Sequence, residues 1–169
     1  DVLGDNAVAV PGDVTIKADV DNVVKKTVDT FGALHILVNN AGILFSTTLA
    51  DMEEDEWDLV IDVNMKGTYL FSRAVLPHMK RAGWGRIVNF SSTAGKAVST
   101  LGGPHYTAAK AGILGLTRAT AKEVAPFEIT VNAVCPGLVN TEMVQENVSP
   151  ERLQGYLDSF PISRIGDPS

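Results

Sequence analysis

The sequence predicts an α/β fold, a doubly wound parallel sheet in a single domain, on three observations. Short apolar runs of strand length alternate with longer stretches of helical periodicity. Each strand-length run ends in a polar or glycine-rich turn. The length, 169 residues at 45% hydrophobic, suits one packed core rather than two. Strands separated by helices pair in parallel through right-handed crossovers. Loops that carry function then gather at the carboxyl ends of the strands.

Taken in order, residues 6–10 alternate Val and Ala before Pro11-Gly12 and read as a first strand. Residues 17–30 place Val20, Val23, Val24 and Val28 at helical spacing, and Phe31-Gly32 ends that helix. The continuous apolar run 34–38 reads as a strand buried on both faces, followed by the turn Asn39-Asn40-Ala41-Gly42. A long helical region covers 53–81 and stops at Gly83-Trp84-Gly85. Residues 86–90 form the next buried strand, followed by a loop rich in Ser, Thr and Gly over 91–103. A helix rich in Ala and Leu follows over 106–125, closed by Pro126. A further buried strand spans 129–134 and breaks at Pro136-Gly137. The remainder is a polar loop with one short helix over 151–159. Three turns, 39–42, 91–95 and 135–141, therefore fall at strand ends on one edge of one sheet.

Composition narrows the partners. A net charge of −6 and a pI near 5.0 argue against a nucleic-acid backbone, which calls for a basic stripe. The single cysteine, Cys135, excludes a disulfide framework within the chain. His35, His78 and His105 match no metal-ligand spacing, so no metal site is expected. No apolar run approaches the length of a membrane span and no signal peptide opens the sequence, so a cytoplasmic protein with no membrane partner is expected. The glycosylation sequons at Asn89 and Asn147 are read as chance.

The chemistry-bearing residues sit in the loops and at the start of one helix. Tyr106-Thr107-Ala108-Ala109-Lys110 puts a phenol and an ammonium one helical turn apart on the same face. A neighbouring ammonium favours the phenolate and suits a tyrosine that exchanges protons with a carbonyl or alcohol oxygen. Alone, the pair fits equally a surface helix with a solvated lysine. Ser92 ends a strand, where its hydroxyl either donates to a developing oxyanion or caps a backbone amide in the turn. Asn39 to Gly42 admits a flat ligand or simply makes a tight turn. Asn64, amid Ile61, Val63 and Met65, either finds a buried partner and bends its helix or faces outward. Asp13-Val14-Thr15 reads as a helix N-cap region.

The order Asp13-Val14, Asn39-Asn40-Ala41-Gly42, Asn64, Ser92, Tyr106-x-x-x-Lys110 and Pro136-Gly137 resembles the short-chain dehydrogenase/reductase family. The stretches at 31–43 and 85–92 are similar to its 3-oxoacyl-reductase-like members, and 161–168 resembles the segment after the family's substrate loop. The resemblance covers essentially the whole chain. It implies a Rossmann-type sheet and hydride transfer between NAD or NADP and a ketone or secondary alcohol. It implies that Tyr106 is the general acid or base, that Lys110 lowers its pKa and bonds the cofactor ribose, that Ser92 bonds the substrate oxygen, and that Asn64 anchors a water behind Lys110. Asp13 and Val14 would contact adenine, and Asn40, Ala41 and Gly42 the adenosine and ribose side. Pro136, Gly137, Val139 and Thr141 would hold the nicotinamide. Residues 142–160 would form a lid, and residues 57–81 and 106–125 a homodimer interface, within a homotetramer.

His35 departs from the family's usual Asp. The family's opening strand and glycine-rich phosphate turn, its second strand and its last strand have no counterpart here. The chain is therefore expected to be part of a longer one, or to be inactive alone, and the domain over 1–169 to be a partial one. The alternative is a truncated, non-catalytic scaffold or interaction module.

Overall fold

A computed structural model describes residues 4–99, 101–141, 144–145, 148–159, 161–162 and 164–168. The long elements are α1 (Lys17–Phe31), β1 (Ile36–Asn39), α2 (Glu54–Ile61), α3 (Gly67–Ala82), β2 (Gly85–Phe90), α4 (Pro104–Val124), β3 (Ile129–Val134) and α5 (Pro150–Asp158). A π-helical turn, Asp62–Lys66, joins α2 to α3. The strands form a parallel sheet in the order β1-β2-β3, with Asn39 opposite Asn89 and Asn89 opposite Ala133. The α/β class and parallel pairing follow the sequence expectation.

Two helix ends are set by glycine. Gly32 and Gly83 adopt φ of 76° and 64° after α1 and α3, left-handed values that favour glycine over any residue with a Cβ. The helical periodicity of α1 buries Val20 and Val24 against α3. Val75 and Met79 of α3, Ile87 of β2, Val124 of α4 and Ile129 and Val131 of β3 complete the main core.

Strand alternation shows which face that core covers. Side chains two residues apart share a face. Asn39 of β1 donates to Ser72 of α3 and to Asn89 of β2, and Asn89 donates to Thr117 of α4. Both α3 and α4 therefore stand on the face that carries Asn39 and Asn89. On the other face Ile36 is 62% exposed, Val38 52% and Val134 44%.

The expectation of strands buried on both faces at 34–38 and 129–134 is thus corrected. Among the described residues β1 and β3 lie at the sheet edges with one face uncovered, and β2 has its fully buried side chains on the helix face. The apolar alternation remains, but no described helix covers the second face. The expected strand at 6–10 is not formed either. A 3-10 turn occupies Gly4–Asn6, and Ala7 to Ala9 are exposed without regular structure. A strand needs a neighbour for its backbone groups, and no described strand lies beside this one. The single helix expected over 53–81 is interrupted at Asn64, as its polar residue foreshadowed. Both Asn89 amide ends are engaged and the residue is 1% exposed, which closes that sequon to modification in this fold. Asn147, together with Glu142, Met143, Glu146 and Phe160 of the expected lid, lies outside the described residues.

The two sheet faces differ in what they contribute to stability. Ile87→Ala is expected to cost about 2–5 kcal/mol, because it empties a fully buried site. Val134→Ala should stay within about 0.5 kcal/mol, typical of the surface. Urea unfolding of the two variants checks the contrast, and equal losses would contradict the one-faced core.

Candidate functional site

Three loops leave the carboxyl ends of β1, β2 and β3 and meet over the first two turns of α4. Between them lies a cleft of about 710 Å³. Asn40, Ala41 and Gly42 come from the loop after β1, Ser91 and Ser92 from the end of β2, and Pro136, Gly137, Val139 and Thr141 from the loop after β3. Tyr106 and Lys110 of α4 and Asn64 of the π-turn complete the wall. The structure thus brings together every site residue expected from sequence except Asp13 and Val14. Val14 lines a separate cavity of about 200 Å³, which shares Asn40 and Ala41 with the cleft. Asp13 lines neither. Its carboxylate accepts from the Thr15 amide at 2.8 Å and from the Thr15 hydroxyl at 2.7 Å, just before α1. These bonds hold the carboxyl below the usual range; they close a turn at 13–15, while the N-cap of α1 is Ile16 without a side-chain cap, so the expected N-cap lies one residue further on and Asp13 does not cap the helix.

Lys110 is fixed from two directions. Its Nζ donates to the Phe90 carbonyl at 2.9 Å, and its own carbonyl accepts from Ser91 Oγ at 2.7 Å. The ammonium is 5% exposed at the residue level, and burial depresses its pKa from 10.5 to about 8. Nζ lies 5.5 Å from the centre of the Tyr106 ring.

The Tyr106 phenol is pushed above its ordinary value of 10.0 by burial, and a hydrogen bond with Ser92 opposes that rise. Lys110 Nζ is bonded to the Phe90 carbonyl, not to the phenol oxygen. The net shift of the tyrosine is upward, where the resemblance implied a lowering. Ser92 performs its turn role as well: its Oγ accepts from the Ala94 amide at 3.1 Å.

Asn64 is fully buried, not outward-facing. Its Nδ2 donates to the carbonyls of Val60 and Ile43, each at 2.9 Å, while Thr68 Oγ1 donates to the Asn64 carbonyl at 2.8 Å. Side-chain bonds of this kind stabilise a local break in the helical ladder. Asn64 Oδ1 has no protein partner. A Cβ on Gly42 would sit 2.7 Å from that oxygen and 3.4 Å from Lys110 Nζ. Glycine at 42 thus leaves the space beside both atoms clear of side chain.

Sequence reasoning passed over Phe90 and Ser91, whose backbone and hydroxyl seat Lys110. Tyr156, which the sequence offers only as an apolar residue of the lid, has a hydroxyl that accepts from the Leu138 amide at 3.2 Å and brings α5 onto the loop after β3. The doublet Ser91-Ser92 was the available signal for the first pair; nothing near Tyr156 marks its hydroxyl as a partner for the Leu138 amide. Among the described residues no helix is long and apolar enough to cross a membrane, and no group of three or more His, Cys, Asp or Glu is placed to hold a metal.

The family model for short chain dehydrogenase matches residues 1–152. The chain belongs to that family. It is 41% identical over 165 residues to a 3-oxoacyl-[acyl-carrier-protein] reductase of a Synechocystis species, covering 98% of this chain and 65% of that protein. It is 43% identical over 166 residues to the (2S)-[(R)-hydroxy(phenyl)methyl]succinyl-CoA dehydrogenase subunit BbsD of Thauera aromatica, with 98% and 65% covered. A crystal structure of 3-oxoacyl-[acyl-carrier protein] reductase from Brucella melitensis superposes with a TM-score of 0.87 at 38% identity, covering 96% of this chain and 61% of that one. The chain therefore spans about two thirds of the length of these relatives, and the fold is the Rossmann type with a partial sheet.

Burial of Lys110 has a pH signature. Below pH 8 the folded chain carries a buried ammonium that the unfolded chain leaves in water. Between about 8 and 10.5 the folded chain has released a proton that the unfolded chain still holds. Folding is favoured by rising pH across that window. The urea midpoint of the parent is expected to rise relative to Lys110→Met from pH 8 towards 10.5; a constant difference would count against the buried ammonium.

Proposed function

We propose that this chain carries the site of an NAD(P)-dependent oxidoreductase acting on a ketone or secondary alcohol, with Ser92, Tyr106, Lys110 and Asn64 as the catalytic set. The observation that carries the reading is the convergence of these four side chains in one cleft at the carboxyl ends of three parallel strands. The relatives' printed names, reductases and a dehydrogenase, agree with it. The residues 1–169 act in this reading as one partial domain.

The residues present fit the nicotinamide and ribose half of such a cofactor. Gly42 leaves room beside Lys110 Nζ, Asn64 Oδ1 is a buried acceptor still without a partner, and Pro136, Gly137, Val139 and Thr141 form the opposite wall. Asn40 and Ala41 lead from there to the cavity beside Val14, which suits the adenosine end. Asp13 stands next to Val14 as an adenine contact additional to its turn. When bound, the nicotinamide supplies or accepts the hydride.

The protein's own part is proton transfer and charge placement. In reduction the Tyr106 hydroxyl gives its proton to the carbonyl oxygen, and burial, by raising its pKa, keeps that proton in place at neutral pH. The Ser92 hydroxyl donates to the same oxygen as negative charge develops on it. In oxidation Tyr106 accepts the alcohol proton. That direction needs a cation beside the phenolate, and Lys110, titrating near 8, is mostly charged at neutral pH. Reorientation of Nζ from the Phe90 carbonyl towards the cofactor ribose brings that charge to bear. Protons return through an oxygen bridging Lys110 Nζ and Asn64 Oδ1.

A cytoplasmic homodimer or homotetramer through 57–81 and 106–125 completes the reading. It is supported by outward side chains on those helices, with Leu59 47% and Tyr69 43% exposed and Ala108 and Ala111 open to solvent.

Tyr106→Phe tests the function. In the protein at full length it is expected to lower turnover by about 10²–10⁴-fold, while equilibrium binding of NADH or NADPH stays unchanged. Retained turnover in this variant would remove Tyr106 from the mechanism.

A further inference from the structure

We propose that Glu56 and His105 form a positioning pair that sets the backbone of Tyr106, and with it the orientation of the phenol. The inference rests on the role given to Tyr106 above. It begins with a buried titratable group that the mechanism leaves unused. His105 is fully buried, adjoins Tyr106 in sequence and does not line the cleft.

Both ring nitrogens are engaged. The Tyr106 backbone N–H donates to His105 Nδ1 at 2.9 Å. A nitrogen that accepts an N–H carries no proton, so the ring's hydrogen resides on Nε2. Nε2 lies 3.0 Å from Glu56 Oε1 and donates to it. The other carboxylate oxygen, Oε2, accepts from Thr47 Oγ1 at 3.0 Å. One chain of hydrogen bonds thus runs from the loop after β1, through α2, to the amide of Tyr106.

Local helix chemistry explains why a histidine does this. The first turn of a helix has backbone N–H groups with no partner inside the helix. A Ser, Thr, Asp or Asn at the N-cap usually accepts one of them. The N-cap of α4 is Gly103, which has no side chain and is itself held by its N–H to the Phe45 carbonyl at 2.7 Å. A Cβ on Gly103 would stand 2.5 Å from the Thr47 carbonyl oxygen, so a capping side chain is sterically excluded. His105 replaces it from inside the helix, and Glu56 fixes the plane of the imidazole. The amide that His105 receives belongs to the residue carrying the phenol. Loss of the pair frees the first turn of α4 to shift, and a displacement of about 1 Å at a reacting group costs about 10²-fold in rate.

Two side chains separate the two bonds. Asn Oδ1 occupies the place of Nδ1 on Cγ and keeps the acceptor for Tyr106 without reaching Glu56. Gln keeps the reach to Glu56 without the acceptor. In the full-length protein, His105→Ala and His105→Gln are expected to lower kcat by about 10–100-fold with KM for carbonyl substrate and cofactor little changed. His105→Asn should recover most of that loss. Glu56→Ala should lower kcat and Glu56→Gln restore it, because a neutral amide oxygen still accepts from Nε2–H. Hydrogen exchange supplies a readout independent of turnover: the Tyr106 amide should exchange faster in His105→Ala and His105→Gln, and slow again in His105→Asn.

A purely structural role lowers the melting temperature but leaves kcat per folded molecule intact and shows no recovery with Asn. That result, or unchanged Tyr106 amide exchange in folded His105→Ala, overturns the proposal. If His105→Ala does not fold, His105→Gln, which preserves volume, carries the same comparison. Retained turnover in Tyr106→Phe would defeat the enzymatic role of Tyr106 instead; the exchange rates still decide whether the pair holds its amide.

Discussion

The end of β2 is bonded to the side of α4 at three successive residues, and the cleft depends on that attachment. Asn89 donates to Thr117, Lys110 Nζ donates to the Phe90 carbonyl, and Ser91 donates to the Lys110 carbonyl. All three bonds lie in or beside a dry core, where an unmade partner is costly. They fix both how far α4 lies from the sheet and how far it has slid along it. Close packing of the apolar face of α4 already resists a shift, and each of the three polar pairs adds the loss of a buried partner. The relation of Tyr106 to Ser92 follows from this register, since one residue belongs to the helix and the other to the strand end.

The electrostatics of the cleft run against the simplest expectation. A lysine near a tyrosine is expected to make the phenol more acidic. Burial instead raises the phenol and lowers the ammonium, because both charged forms lose water. The two shifts have opposite sign and one cause. They move the two groups apart in proton affinity, the phenol above 10.0 and the ammonium down to about 8, so the phenol holds its proton more firmly than the ammonium does. The backbone carbonyl of Phe90 holds Lys110 in the meantime.

Much of this was legible in the sequence. The period of 3.6 in 17–30, the apolar runs before Asn39 and after Gly85, and the breaks at Gly32, Gly83 and Pro136 are local signals, and they located the elements within a few residues. Ser92, Tyr106 and Lys110 were readable because strand ends and a single helical turn place them by short-range geometry. The open face of the sheet was legible only indirectly, from the family strands that have no counterpart in this sequence. Ile36 and Val38 have the composition of a fully buried strand, and whether anything covers them depends on chain that is not adjacent in sequence. The role of His105 was not legible, since its partners Glu56 and Thr47 are brought to it by tertiary packing. Asn64 fell between these cases: its polarity in an apolar stretch announced a partner, but not the π-turn.

That turn acts as a phase setter. A π-turn is a helix carrying one residue more than its ladder needs, and each residue of an α-helix advances the side chains by about 100° around the axis. The residues of α2 therefore reach their neighbours with an angular offset from those of α3 that an uninterrupted helix would not have. Glu56 meets α4 on one side of this offset, and Val75 and Met79 meet the sheet on the other. With the segment regular, the two halves could not both face their partners. The fold has spent an irregular turn on letting one continuous rod serve two surfaces that point in different directions.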